Sequence, residues 1–160
     1  MNKKFIFFLA IPLLLLPGCW LTDMLGGKED KASLYVINVL DKPFYDDCHI
    51  KGSIHVPFEK VDSFAAKLNK DTELVIYCSN YLCSASGHVA GDLIAKGFKN
   101  VWAYEAGMAD WAQHGYPVEG VCQKTYLKAE NKHHGEEAKV PLISTQELKE
   151  KMEKAGLLSK

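Results

Sequence analysis

The stretch LVIYCSNYLCSASGHVAGDLIAKGF, residues 74–98, places two cysteines, Cys78 and Cys83, between an apolar run and a helix-like segment. A cysteine that leaves a buried strand just before a helix meets partial positive charge. Loop amides and the helix N-terminus aim N–H groups at it, which favours a thiolate or a bound anion. An ordinary thiol has a pKa of about 8.5, and lowering it by about two units, roughly 2.7 kcal/mol, makes it mostly thiolate at pH 7. Cys78 stands where that effect operates, although a cysteine at a strand end is also a small apolar residue that packs well. Cys83 has two readings: a thiol that closes a reversible bond with Cys78, or a buried first-turn residue. Cys48 competes as a partner for Cys78. With Cys122 these four allow three complete pairings, and spacing alone does not choose among them.

Strands and helices must position these sulfurs. The runs LYVINVL, SIHVP, ELVIY and NVWAY are rich in β-branched and aromatic residues and predict strands. EKVDSFAAKLNK, SASGHVAGDLIAKGF and MADWAQHG predict helices, the last two closed by Gly97 and Gly115. DKPFYDDCHIKG reads as turn-rich. Alternating strands and helices imply an α/β fold with a parallel central sheet flanked by helices, whose sites form at the carboxyl ends of strands. Cys78 falls at such an end. The 160 residues, 48% hydrophobic and 24% charged, suit one globular domain with extensions. A net charge of -1 gives no electrostatic case for nucleic acid.

Both ends of the chain differ from this middle. Lys3 and Lys4 precede an apolar run over residues 5–16, too short to span a bilayer comfortably but suited to a secretory signal. Leu16-Pro17-Gly18-Cys19 resembles the lipobox of bacterial lipoproteins. That resemblance implies a signal peptide over 1–18, lipid on Cys19, a tether over 19–33 and an extracytoplasmic, membrane-anchored domain. Trp20 beside the lipid site suits the membrane interface. Residues 122–139 read as a polar linker, and 140–160 as a strand, an N-cap at Ser144 or Thr145 and a helix striped by Leu148 and Met152.

The motifs HIKGSIHVP, the strand-Cys-loop-helix around Cys78, GFKNV and AGMADWAQHGYPV together resemble the rhodanese domain over residues 34–121. The resemblance implies that Cys78 accepts a sulfane sulfur as a persulfide and passes it to a thiol acceptor, a protein thiol among the candidates. It also implies that Ser79, Asn80, Tyr81, Leu82, Cys83 and Ser84 line the substrate site, with amides of residues 79–83 cradling Cys78. No cofactor is required. The loop from Cys78 to Cys83 has the sulfurtransferase length, one residue shorter than in the related dual-specificity phosphatases. Rhodanese domains commonly begin with a strand and helix like ISTQELKEKMEKAG. Here that unit stands at the C-terminus, and three readings are open: a circular permutation with Leu142 and Ile143 as an added edge strand and Thr145 to Lys154 as the missing helix, a truncated second rhodanese domain, or an independent helix that binds a partner.

The departures from the family bear on chemistry. Cys83 stands where the family usually places arginine, and the chain contains no arginine at all, its 19 basic residues being lysines. Asn38, Leu40 and Cys48 replace the usual Asp, Arg and Gly. Losing the guanidinium removes bidentate recognition of an anion such as thiosulfate, so a persulfide or protein-borne sulfur is the expected donor. A thiol-disulfide protein using Cys78 and Cys83, or an inactive binding module, are the competing functions. His49 reads as tying its turn, His55 as a strand-end residue, and His88 as solvent-facing. His133 and His134 read as solvated, and Trp102 and Trp111 as packing residues. Cys48, His49, Cys78 and Cys83 lack the paired spacing of a zinc site, so no metal is expected.

Overall fold

A computed structural model describes residues 34–133 and 139–158. Six strands and five helices follow one another as β1 (Leu34–Asn38), α1 (Lys42–Asp47), β2 (His49–Ile50), β3 (Ile54–His55), α2 (Val61–Ala65), β4 (Glu73–Tyr77), α3 (Ala85–Ala95), β5 (Asn100–Tyr104), α4 (Gly107–Gln113), β6 (Val118–Glu119) and α5 (Thr145–Lys154). The main sheet is parallel in the order β3-β1-β4-β5. Asn38, Tyr77 and Tyr104 lie level across β1, β4 and β5, so these strands end along one edge and Cys78 emerges there from the centre.

Helices cover both faces, which is why β4 reads as an unbroken apolar run with Leu74, Val75, Ile76 and Tyr77 wholly buried. On one face, Val61 and Ala65 of α2 and Val89, Ala90 and Leu93 of α3 pack against Ile37, Leu74 and Ile76. On the other, Met108 and Trp111 of α4 meet Leu148 and Met152 of α5 over Val36, Val75 and Tyr77.

The C-terminal segment docks as its pattern implies. Ala103 N–H donates to the Pro141 carbonyl (2.9 Å), Ile143 N–H donates to the Ala103 carbonyl (3.1 Å), and Leu142 pairs parallel with Ala103 as a further edge beside β5. Ser144 caps α5 reciprocally. Its hydroxyl oxygen accepts from the Glu147 N–H (3.3 Å), and the Glu147 carboxylate accepts from the Ser144 N–H (2.9 Å). Ser144→Ala is therefore expected to cost about 1 kcal/mol, read as a lower urea midpoint at unchanged slope. An unmoved midpoint would show that the cap does not stabilise the docked helix.

Two expectations need correction. The segment read as turn-rich contains α1, started by Pro43 in its first turn, where proline's missing N–H costs nothing. The first half of the segment read as a linker is packed. Leu127 is buried, and the Gln113 side-chain amide donates to the carbonyls of Leu127 (3.0 Å) and Ala129 (2.9 Å). Its polar composition misled because one buried leucine and backbone hydrogen bonds, not an apolar stripe, hold it. Among the described residues no helix is long and apolar enough to cross a membrane. The signal, Cys19 and Trp20, the tether and His134 lie outside the described residues.

Candidate active site

The loop after β4 is held from three sides. The start of α4 grips its backbone: Met108 N–H donates to the Cys78 carbonyl (3.0 Å) and Ala109 N–H to the Ser79 carbonyl (2.9 Å). Gly107 makes that approach possible. It has a φ of +64°, and a Cβ there would lie 2.8 Å from both the Asn80 nitrogen and the Cys78 carbonyl oxygen. Asn80, itself buried, closes the loop on the second side. Its carbonyl accepts from Cys83 N–H (3.0 Å), and its side-chain oxygen accepts from Leu82 N–H (3.2 Å) and the Ser79 hydroxyl (3.3 Å). On the third side Asn131, from the packed segment, accepts from Tyr81 N–H (3.2 Å) and donates to the Ala106 carbonyl (2.9 Å).

The loop so folded sets Cys78 against Cys83. Cys78 is wholly buried, and its thiol donates to the Cys83 carbonyl oxygen at 3.0 Å. The Ser86 hydroxyl, on the first turn of α3, lies 3.6 Å from the same sulfur. Both thiols are free, and Cys83 is the more accessible. The neighbouring Cys83 side chain, followed by burial, pushes Cys78 well above the usual thiol range. The Cys78 side chain in turn draws Cys83 down to about 6, against its partial burial and with help from the backbone amides of Ala85 and Ser79. The two shifts run in opposite directions, and the thiolate is favoured on the sulfur with the amide donors and access to water.

This corrects the expected cradle. The amides of Tyr81, Leu82 and Cys83 are taken by Asn131 and Asn80, while those of Ser79 and Ala85 serve Cys83. Cys78 has only Ser86, through its amide and hydroxyl, to favour its ionised form. Leu82 points into solvent, 74% exposed, and Ser84 is exposed at the N-cap of α3. Cys48 is not a partner for Cys78 either, because it is bonded to Cys122. The antiparallel pairing of β2 with β6 brings the two together. Asp47 secures the join: its carbonyl accepts from Cys122 N–H (2.8 Å), and its carboxylate accepts from the amides of Gln123 (3.2 Å) and Lys124 (3.1 Å).

The other singled-out residues fall in structural places. His49 contacts the Tyr45 carbonyl (2.9 Å) and His55 the Leu40 carbonyl (2.7 Å), and both rings stack on Tyr45. Asn38 spends its side-chain oxygen on Leu40 N–H (2.9 Å). Trp111 is wholly buried and Trp102 lies under the Lys151 ammonium. His88 is exposed, and His133 sits edge-on to Tyr81. Among the described residues no cluster of His, Cys, Asp and Glu side chains is arranged to hold a metal ion. Sequence reasoning missed Ser86, which helical spacing from Val89, Ala90 and Leu93 turns inward, and Asn131, which carries no local signal. Two clefts border the loop, of about 450 Å³ at Tyr81 and about 490 Å³ at Ser84, and Glu105 lines both.

Comparison with known proteins agrees with this architecture. The family model for the rhodanese-like domain matches residues 20–114. A thiosulfate sulfurtransferase GlpE of Coxiella burnetii is 29% identical over 84 residues, covering 52% of this chain and 77% of that protein. The GlpE of Pseudomonas savastanoi pv. phaseolicola is 31% identical over 94 residues, covering 59% and 84%. Among solved structures, the BH2092 protein of Bacillus halodurans superimposes with a TM-score of 0.51 at 26% identity, covering 63% of this chain and 72% of that one.

Proposed function

The chain belongs to the rhodanese-like domain family, and we propose that it is a sulfurtransferase that takes up a sulfane sulfur as a persulfide on Cys78 and hands it to a thiol acceptor. The observation that carries this reading is the pair of free cysteines at the carboxyl end of β4 and the start of α3, with the Cys78 thiol donating to the Cys83 carbonyl. A buried thiol with a raised pKa is a poor nucleophile alone. Here Cys83 acts as its base: as Cys78 attacks the donor's sulfane sulfur, its proton passes to the Cys83 thiolate and the donor's remaining sulfur leaves with the bonding electron pair. The curated relatives named thiosulfate sulfurtransferases support the reaction class.

The donor is a thiol-borne or protein-borne persulfide, singly charged at most, rather than the dianion thiosulfate. A charge-assisted hydrogen bond is worth about 1.5–3 kcal/mol, so the missing guanidinium costs an anionic donor about tenfold to a hundredfold in binding. On the same reading the protein is a lipoprotein, held at an extracytoplasmic membrane face by lipid on Cys19. The lipobox-like Leu16-Pro17-Gly18-Cys19 supports this, as does the Cys48–Cys122 disulfide, a bond typical of oxidising compartments.

Intact-mass analysis of the full chain, with the cysteines mapped, tests the proposal. A small-thiol persulfide should add one sulfur to Cys78 faster than thiosulfate does, and the acyl mass should sit on Cys19. Because Cys83 must be ionised to take the proton, the uptake rate should rise with pH through about 6 and fall away below it. A chain whose Cys78 never gains sulfur from either donor would sink the reading.

A further inference from the structure

A persulfide on Cys78 would have a sulfur nucleophile beside it before any acceptor arrives. The turn closed by Cys83 N–H on the Asn80 carbonyl folds residue 83 back over Cys78, whose sulfur lies 3.0 Å from the Cys83 carbonyl oxygen. The Cys78 thiol donates to the backbone of residue 83, and no other free cysteine exists among the described residues. Cys48 and Cys122 are consumed in their own bond, made at the join of β2 and β6. Cys78 is wholly buried, so an outside thiol reaches its sulfur only after the loop opens, whereas Cys83 is already adjacent through its carbonyl. Holding a nucleophile nearby replaces a bimolecular step by an intramolecular one.

We infer that this chain has a second activity, persulfide reduction, in which Cys83 resolves the Cys78 persulfide as hydrosulfide and leaves a Cys78–Cys83 disulfide for an external dithiol to reset. The inference rests on the Cys78 persulfide reading above. The step balances without another reagent. Cys83 sulfur attacks the inner sulfur of Cys78–S–S⁻, forming the Cys78–Cys83 bond. The bond between inner and outer sulfur breaks, its electron pair leaves with the outer sulfur, and the Cys83 thiol proton goes with it as HS⁻. The sulfane sulfur has been reduced and the two thiols oxidised to a disulfide. Two electrons and two protons from the dithiol return both thiols. The chain is thus a sulfurtransferase when an acceptor thiol arrives first, and a hydrosulfide-releasing reductase when it does not.

The test uses the full chain with Cys78 and Cys83 free, given a small-thiol persulfide, whose leaving group is the thiol, without an added acceptor, and follows hydrosulfide release and peptide masses. Wild type should release one hydrosulfide per chain and show the Cys78–Cys83 disulfide. Cys83→Ser should lose that release and keep a sulfur on whatever fraction of Cys78 it loads. Lasting persulfide on wild-type Cys78, an extra sulfur lodged on Cys83, or a disulfide from Cys78 to Cys48 or Cys122 would overturn the inference while leaving sulfur uptake intact. Absence of sulfur from Cys78 without a Cys78–Cys83 disulfide in wild type would defeat the underlying reading and this one together. The wild-type arm decides by itself if the Cys83→Ser chain fails to fold.

Discussion

Cys78→Ser is expected to lower sulfur transfer from a small-thiol persulfide at least about 10³-fold while leaving the fold in place. The size of the loss follows from replacing the nucleophile itself, a class of change that commonly removes several orders of magnitude. A serine hydroxyl is far too weak an acid for Cys83, drawn down to about 6, to deprotonate it. The fold should tolerate the exchange. The hydroxyl is smaller than the thiol, and its proton has the Cys83 carbonyl and the Ser86 hydroxyl within reach. A urea midpoint within about 1 kcal/mol of wild type would show that the lost activity is chemical. Retained turnover in Cys78→Ser would assign the entry of sulfur to Cys83, the more accessible thiol, and would reverse the roles given to the pair.

How far the site was legible in the sequence depended on whether neighbours in space were neighbours in the chain. β1, β4 and β5 were legible because buried parallel strands leave unbroken apolar runs, and the position of Cys78 followed from the end of one of them. α5 announced itself through its cap residues and the spacing of Leu148 and Met152. The partner of Cys48 was not legible. That pairing depends on the two-residue strands β2 and β6, too short to leave a periodic signal, and on Gly120, where a Cβ would lie 2.3 Å from the Asp47 carbonyl oxygen. The charge distribution between Cys78 and Cys83 was hidden for a related reason. It turns on which amides the side chains of Asn80 and Asn131 occupy, and Asn131 reaches Tyr81 across fifty positions of sequence. Spacing placed a thiol at a helix N-terminus, but only the folded loop shows that the amides there serve the second sulfur.

Deleting residues 139–160 is expected to unfold most of the chain, the largest stability effect proposed for this protein. The segment supplies Ile143, Leu148 and Met152 to the core face shared with Tyr77, Tyr104, Met108 and Trp111. Three buried side chains at about 1.5–3 kcal/mol each amount to roughly 4.5–9 kcal/mol of burial. A whole domain is stable by only about 5–15 kcal/mol, so a loss of this size is comparable to everything available. Polar losses add to it. Removing Thr145 takes away the hydroxyl 3.0 Å from the Tyr104 hydroxyl, and removing Lys151 leaves Glu73 without the partner it meets at 2.6 Å. The edge pairing with Ala103 goes as well, exposing a β5 edge now satisfied by Pro141 and Ile143. Circular dichroism and a urea transition on the deleted chain measure the effect. A cooperative transition at the full chain's midpoint would mean that this strand and helix are an accessory resting on a finished domain. A collapsed transition, restored by adding residues 139–160 as a separate peptide, would mean that they complete the rhodanese-like core from the far end of the sequence.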